Sequence, residues 1–233
     1  MAERPVFIPR PQGSRLVEEI SVSFTWHKGM APSQKKKNIA ALHEAAALRG
    51  LSPLLEISTK SEEKLGQRLS AFNLQVPLDE SKFASLECVY QGSKVFERGG
   101  PYTDLYLVES REAKRDPRLQ EAGNLIGFRF SKVDFPIFPK TAFYDWLYIR
   151  ALYPHRDYLS RLRAYAGFTD IEFNPEKSLN CQARSCATFV ALDRKGLLEV
   201  ALKSPQSFID ILLPDSVDQP HSYAERQHTL FGR

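Results

Sequence analysis

The chain is poor in the residues that build metal sites and disulfide frameworks. It holds only three cysteines, Cys88, Cys181 and Cys186. An odd count without paired spacing argues against a disulfide framework and fits a reducing compartment. No histidine stands beside Cys181 or Cys186 to complete a zinc set, so neither a metal nor a cofactor is expected. His27, His43, His155, His221 and His228 are scattered. No glycine-rich loop has the Walker or Rossmann spacing, and no Gly-x-Ser-x-Gly elbow occurs. Kinase, metal-hydrolase and serine-hydrolase chemistry therefore lack their usual residues. No apolar run approaches the roughly 18–20 residues of a membrane span. The start, Met1-Ala2-Glu3-Arg4-Pro5, carries an early acid and no apolar signal core. These absences predict a cytoplasmic protein without a membrane partner.

What is present is the make-up of a folded protein, with 42% hydrophobic and 11% aromatic residues among 233. That length suits one large domain or two small ones, with a core that needs no staples. The net charge of +4 is compatible with a polyanionic ligand without demanding one.

Pro5, Pro9 and Pro11 oppose helix, so residues 1–16 read as an extended N-terminal segment. Val17 to Trp26 alternates as a strand. A helix is expected over Gln34–Arg49, capped by Ser33, striped by Ile39, Leu42, Ala46 and Ala47, and stopped by Gly50. Its Lys35-Lys36-Lys37 triplet opposes the helix dipole and reads as solvated surface or as a phosphate contact. Leu54–Ser58 reads as a strand, and Ser61 caps a helix to Arg68. Leu69–Leu74 reads as a strand or extended turn, and Phe83–Phe96 as one helix. Further on, the pattern predicts a short element at Tyr102–Leu107, a polar helix at Ser110–Leu119 and a strand at Leu125–Phe130. An aromatic helix follows at Thr141–Leu152, then another at Arg156–Tyr165. Phe168–Pro175 reads as strand or loop, and Asn180–Leu192 as the last core helix, its β-branched residues leaving a strand as the alternative. Beyond Gly196, Pro205, Pro214 and Pro220 predict a surface-wrapped or partly disordered tail over 196–233. Strands come singly between helices. The expected fold class is α+β: one compact domain over 1–233, mostly helical around a small sheet.

Three polar constellations stand out. Glu87, Gln91 and Lys94 fall at i, i+4 and i+7 of an otherwise apolar run, which puts them on one helical face. They are either a structural polar set or an acid/base beside a lysine that stabilises charge or attacks an anomeric carbon. Burial in an apolar pocket would supply the free amine. Tyr144-Asp145-Trp146 is either core aromatic helix with one exposed acid, or a ring platform for a heterocycle. Asp170, Glu172 and Asn174, followed by Asn180-Cys181-Gln182-Ala183-Arg184, offer partners for ribose hydroxyls and phosphate, or cap a turn.

In order, these clusters resemble the NADAR superfamily. The family pattern is an Asn-bearing Leu-Ser-x-Phe stretch, a Glu…Tyr-Gln…Lys helix, a Trp-containing helix and a late Asp…Asn…Leu-Gly. Here they stand as Leu69-Ser70-Ala71-Phe72-Asn73, Glu87 to Lys94, Asp145-Trp146, and Asp170 with Asn180. Gln182-Ala183 replaces the usual Leu-Gly, and Asn73 follows Phe72 instead of preceding it. The segments Leu55–Leu74, Glu87–Tyr106 and Lys140–Leu152 are more similar still to NADAR antitoxins encoded beside DarT-type toxins. The similarity runs from about Pro5 to Leu192. The resemblance implies a compact α+β NADAR domain. It also implies an N-glycosidase that removes ADP-ribose from guanine bases of DNA, with a DarT-type toxin as possible partner. It makes Glu87, Lys94 and Asp170 the catalytic candidates. It makes Asn73, Gln91, Asp145, Trp146, Asn180, Arg184, Lys60 and Arg111 the substrate-binding ones. Trp146 would stack on guanine, and Arg184, Lys60 and Arg111 would meet phosphate. Two other functions fit the same residues: a glycosidase for a small phosphoribosyl-amine of the riboflavin pathway, and a non-catalytic antitoxin that binds its toxin.

Overall fold

The computed structural model describes residues 1–29, 31–176 and 178–216. Strands β1 (Ala2–Pro9) and β2 (Val17–Phe24) form an antiparallel hairpin, from Ala2 opposite Phe24 to Pro9 opposite Val17. The extended N-terminal segment is thus a paired strand. Helix α1 (Pro32–Ala47) follows, with Pro32 in its first turn. Proline suits that place, because its missing N–H would be unpaired there anyway. Ser33, expected as the cap, lies inside the helix, and Ala47 of the expected stripe is exposed.

Strand β3 (Leu54–Glu56) leads to helix α2 (Lys64–Arg68), whose N-cap is Glu63 rather than Ser61. Strands β4 (Gln75–Pro77) and β5 (Phe83–Ser85) make a small hairpin. The single helix expected over Phe83–Phe96 is three elements: β5, helix α3 (Leu86–Gly92) and strand β6 (Lys94–Phe96). A side chain at Gly92 would meet Tyr102 O and the Tyr106 ring at 2.7 Å, so only glycine lets this turn pack there.

A 3-10 turn at Thr103–Leu107 precedes helices α4 (Ser110–Arg115) and α5 (Arg118–Glu121). Strands β7 (Leu125–Phe130) and β8 (Val133–Phe135) complete the order β6-β7-β8. Helix α6 (Ala142–Leu152) is buried on all sides except at Arg150. Helix α7 (Arg156–Leu159) runs into a 3-10 turn, and strand β9 (Gly167–Thr169) closes the four-stranded order β2-β1-β9-β3. Helix α8 (Gln182–Lys195) ends on Gly196 at φ +67°, the left-handed stop that glycine supplies. The fold is mixed α and β as expected, but its strands form three small sheets rather than one.

The chain after Gly196 differs from the expected tail. It forms helices α9 (Leu198–Leu202) and α10 (Pro205–Ser216), with Phe208 and Leu212 in the core. Pro205 opens a helix instead of preventing one. Residues 217–233 of that expectation, Pro220 among them, lie outside the described residues.

Strand β1 is covered on both faces. Phe7 packs into the main core with α6 and α8, while Val6 and Ile8 pack with Ile39 and Leu42 of α1. Each such side chain buried is worth roughly 1.5–3 kcal/mol. Parallel β3 and β9 are locked between these layers. Their C-terminal ends carry Glu56 and Asp170 to one edge.

Candidate active site

Ser85 ends β5 and caps α3, accepting from the Cys88 amide at 3.2 Å. The cap sets Glu87 in the first turn, where a carboxylate suits the helix dipole. One turn on, Gln91 Nε2 donates to Glu87 Oε1 at 2.9 Å. Lys94 Nζ donates to Gln91 Oε1 at 2.6 Å. The three residues therefore meet, although Lys94 reaches the amide from β6 and not from the helix. Glu87 and Gln91 are buried, and Lys94 is half-buried with Nζ 5.0 Å from the centre of the Tyr90 ring. Burial lowers the Lys94 pKa to about 8, with Glu87 opposing the shift and Lys114 adding to it. Lys114, exposed on α4, brings Nζ within 4.0 Å of Glu87 Oε1.

A second cluster forms where β3 and β9 end. Buried Glu56 accepts from Thr169 Oγ1 at 2.7 Å and from the Ile171 amide at 2.8 Å. One carboxyl thus grips the residues on both sides of Asp170. Thr169 has one hydroxyl proton and gives it to Glu56. His43 Nε2, 2.8 Å from the same oxygen, is then the donor in that pair. Burial lowers the His43 pKa to about 4, so its ring is neutral. Asp170 Oδ1 accepts from the amides of Glu172 at 3.0 Å and Phe173 at 3.2 Å. Its Oδ2 accepts from Gln182 Nε2 at 3.0 Å. Burial, and next the Glu56 carboxyl, push the Asp170 pKa up to about 8. Burial raises Glu56 as well. Burial and mutual repulsion thus favour the protonated form of this pair.

The two clusters are tied through the turn at Leu69–Leu74. Gln182 Oε1 accepts from the Ala71 amide at 2.7 Å, and the Glu87 amide donates to Ala71 O at 3.1 Å. Tyr148 donates to Leu69 O at 2.9 Å and pins the same turn to α6. Asn180 Nδ2 donates to Tyr90 Oη at 2.7 Å. The buried Asn180 Oδ1 has no partner among the described residues. Tyr144, buried on α6, feels the charges of Glu87, Asp170 and Asp145; burial first and these acids next hold its phenol well above the usual range.

The model of a family described as DarT1-associated NADAR antitoxin matches residues 2–222. The chain belongs to this family. Among curated proteins, none matches it.

In this NADAR chain the other expected site residues part company. Asp145 Oδ2 accepts from Arg184 Nη1 at 2.7 Å, and Oδ1 from Ser185 Oγ at 2.5 Å. Both partners are buried or nearly so, and together they staple α6 to α8. Arg184 is thus committed to a carboxylate and to Thr141 Oγ1 at 3.3 Å. Asp145, one alternative for which was an exposed acid, is 1% exposed. Trp146 is 2% exposed and packs on Phe135 at 4.9 Å, with Arg150 at 5.1 Å over its ring. It is a core residue, not a surface on which guanine stacks. Asn73 is exposed and donates to Gln67 O at 2.8 Å, closing the end of α2. Lys60 lies in the loop after β3, with its amide on Ser58 Oγ. Arg111 is exposed on α4.

Glu56, His43, Thr169 and Lys114 were not foreseen. Tyr90 lay in a quoted motif but was given no role, and Gln182, read within a cluster for ribose hydroxyls or a turn, instead bonds Asp170 and the Ala71 amide. Glu56 had a signal: an acid inside the apolar run Leu54-Leu55-Glu56-Ile57, the same anomaly that marked Glu87. No group of three or more His, Cys, Asp or Glu among the described residues could hold a metal. No helix among them is long and apolar enough to cross a membrane.

Proposed function

We propose that the protein is an N-glycosidase that removes ADP-ribose from guanine bases of DNA, as antitoxin to a DarT-type toxin. The hydrogen-bonded run Glu87–Gln91–Lys94, in a chain of this family, carries the reading. The bond from the ribose anomeric carbon to the exocyclic guanine nitrogen must break. Water supplies a hydroxyl to the carbon and, in net, a proton to the nitrogen. Glu87 is the group proposed to protonate the leaving nitrogen. Asp170 is proposed to orient ribose hydroxyls, helped by the open acceptor Asn180 Oδ1. Lys60 and Arg111 are the proposed phosphate contacts, because Arg184 is already paired.

Lys94 has two roles open to it. As a neutral amine it displaces the guanine nitrogen, which leaves with a proton, and the ribose ring C–O bond opens to give an imine that water then hydrolyses to free ADP-ribose and the amine. As an ammonium it stabilises the diphosphate. A pKa of about 8 leaves roughly one molecule in ten neutral at pH 7. The rate rises with pH through about 8 in the first role and falls in the second.

The test is incubation with ADP-ribosylated single-stranded DNA, with products read by mass spectrometry. Free ADP-ribose and unmodified guanine are expected; no release at equimolar protein overturns the reading. Toxin neutralisation that survives Glu87→Gln assigns direct toxin contact instead.

A further inference from the structure

Helix α3 borders a cavity of ≈ 320 Å³ through Cys88. Phe72 from the turn after α2, Phe83 from β5 and Leu107 from the 3-10 turn stand around it. They are 38%, 56% and 73% exposed. Large apolar side chains seldom gather in water without a partner. Its lining also has polar residues: Ser85 and Ser110, with Oγ atoms 2.7 Å apart, and Glu109.

We infer that this cavity seats an unpaired nucleobase of single-stranded DNA, next to the nucleotide being processed. A base offers flat faces to Phe72 and Phe83 and hydrogen-bonding edges to the serines and Glu109. An unstacked base is required, because a paired one shows no face. Helix α4 starts at the cavity rim with Ser110 and carries exposed Arg111, Lys114 and Arg115, cations for the backbone that follows the base. The cavity also adjoins the helix turn that carries the acid. Cys88 in its lining and Glu87 are consecutive on α3, about 100° apart around the helix. Ala71, which accepts from the Glu87 amide, adjoins Phe72. A strand held here is led towards Glu87. The identity of the strand as DNA rests on the glycosidase reading above.

The experiment measures fluorescence anisotropy of a labelled, unmodified, mixed-sequence single-stranded oligodeoxynucleotide with the full chain. The Phe72→Ala/Phe83→Ala double variant, checked for folding by its melting curve, is expected to bind at least about tenfold more weakly. On modified oligonucleotide its KM rises while kcat holds. Arg111→Ala/Arg115→Ala is expected to flatten the salt dependence by about 0.7 in log–log slope for each phosphate that the variant no longer neutralises. Equal DNA affinity in wild type and the phenylalanine variant overturns the inference. So does a variant that loses only its binding to a DarT-type toxin, which gives the cavity to a protein partner. Because the oligonucleotide carries no modification, failure of the glycosidase reading leaves this measurement decisive.

Discussion

Glu87 and Asp170 hang from the same turn, yet they are held in opposite ways. Glu87 meets an amide that is bonded to an amine, and a second lysine stands 4.0 Å away. Asp170 meets backbone amides and Gln182, and the charges that raise its pKa are the acids Glu56 and Glu172. The first arrangement gathers groups of unlike chemistry at a half-open position. The second sets two buried acids where they fix backbone. Equal burial therefore leaves the two carboxyls in unlike surroundings, set by their partners.

The sharpest test of that contrast is activity. Glu87→Gln and Lys94→Ala are each expected to lose on the order of 10²–10⁴-fold in rate on modified DNA, with melting curves little changed. Asp170→Asn is expected to lose less, since an amide imitates a protonated acid. An equal loss would make Asp170 a charged participant and erase the distinction. Next in size is Glu56→Ala, which leaves Thr169 Oγ1 and the Ile171 amide without their acceptor. A stability loss of about 2–4 kcal/mol in urea melts is expected.

A third prediction concerns pH. Folded Asp170 binds its proton more tightly than the unfolded chain does. Its contribution to stability is full below the ordinary carboxyl pKa of about 4 and is lost as pH rises through about 8. Asp170→Asn should therefore gain stability relative to wild type between those values. A constant difference across that range would mean that Asp170 is not protonated. The smallest effect is at the cap: Ser85→Ala should cost about 1 kcal/mol, read by chemical denaturation.

Much of this was legible in local pattern. Helices α6 and α8 and strand β7 carry enough apolar residues in register to be read within a residue or three. The Phe83–Phe96 stretch was not, because Val89, Tyr90, Val95 and Phe96 suit a helix and a strand alike. What divides it is a long-range contact, the approach of Tyr102 and Tyr106 to Gly92. Helix α10 was hidden by its prolines, although Pro205 occupies the one helical position where proline fits. At the site, Glu87, Gln91 and Lys94 were visible because their spacing is local. The grip of Glu56 on Thr169 spans 113 residues, so the acid in its apolar run was visible locally but its partner was not. Gln182, noted in the third constellation and as a departure from the Leu-Gly pattern, is the side chain that joins Asp170 to the turn.

One last consequence follows from Gln91. Set against each other directly, a carboxylate and an ammonium would clasp and cancel. The amide between them accepts from one and donates to the other, and it neither takes up nor releases a proton in neutral water. It works as an electrical insulator between two live terminals. Lys94 and Glu87 stay side by side without discharging into each other, so each can still meet an incoming molecule.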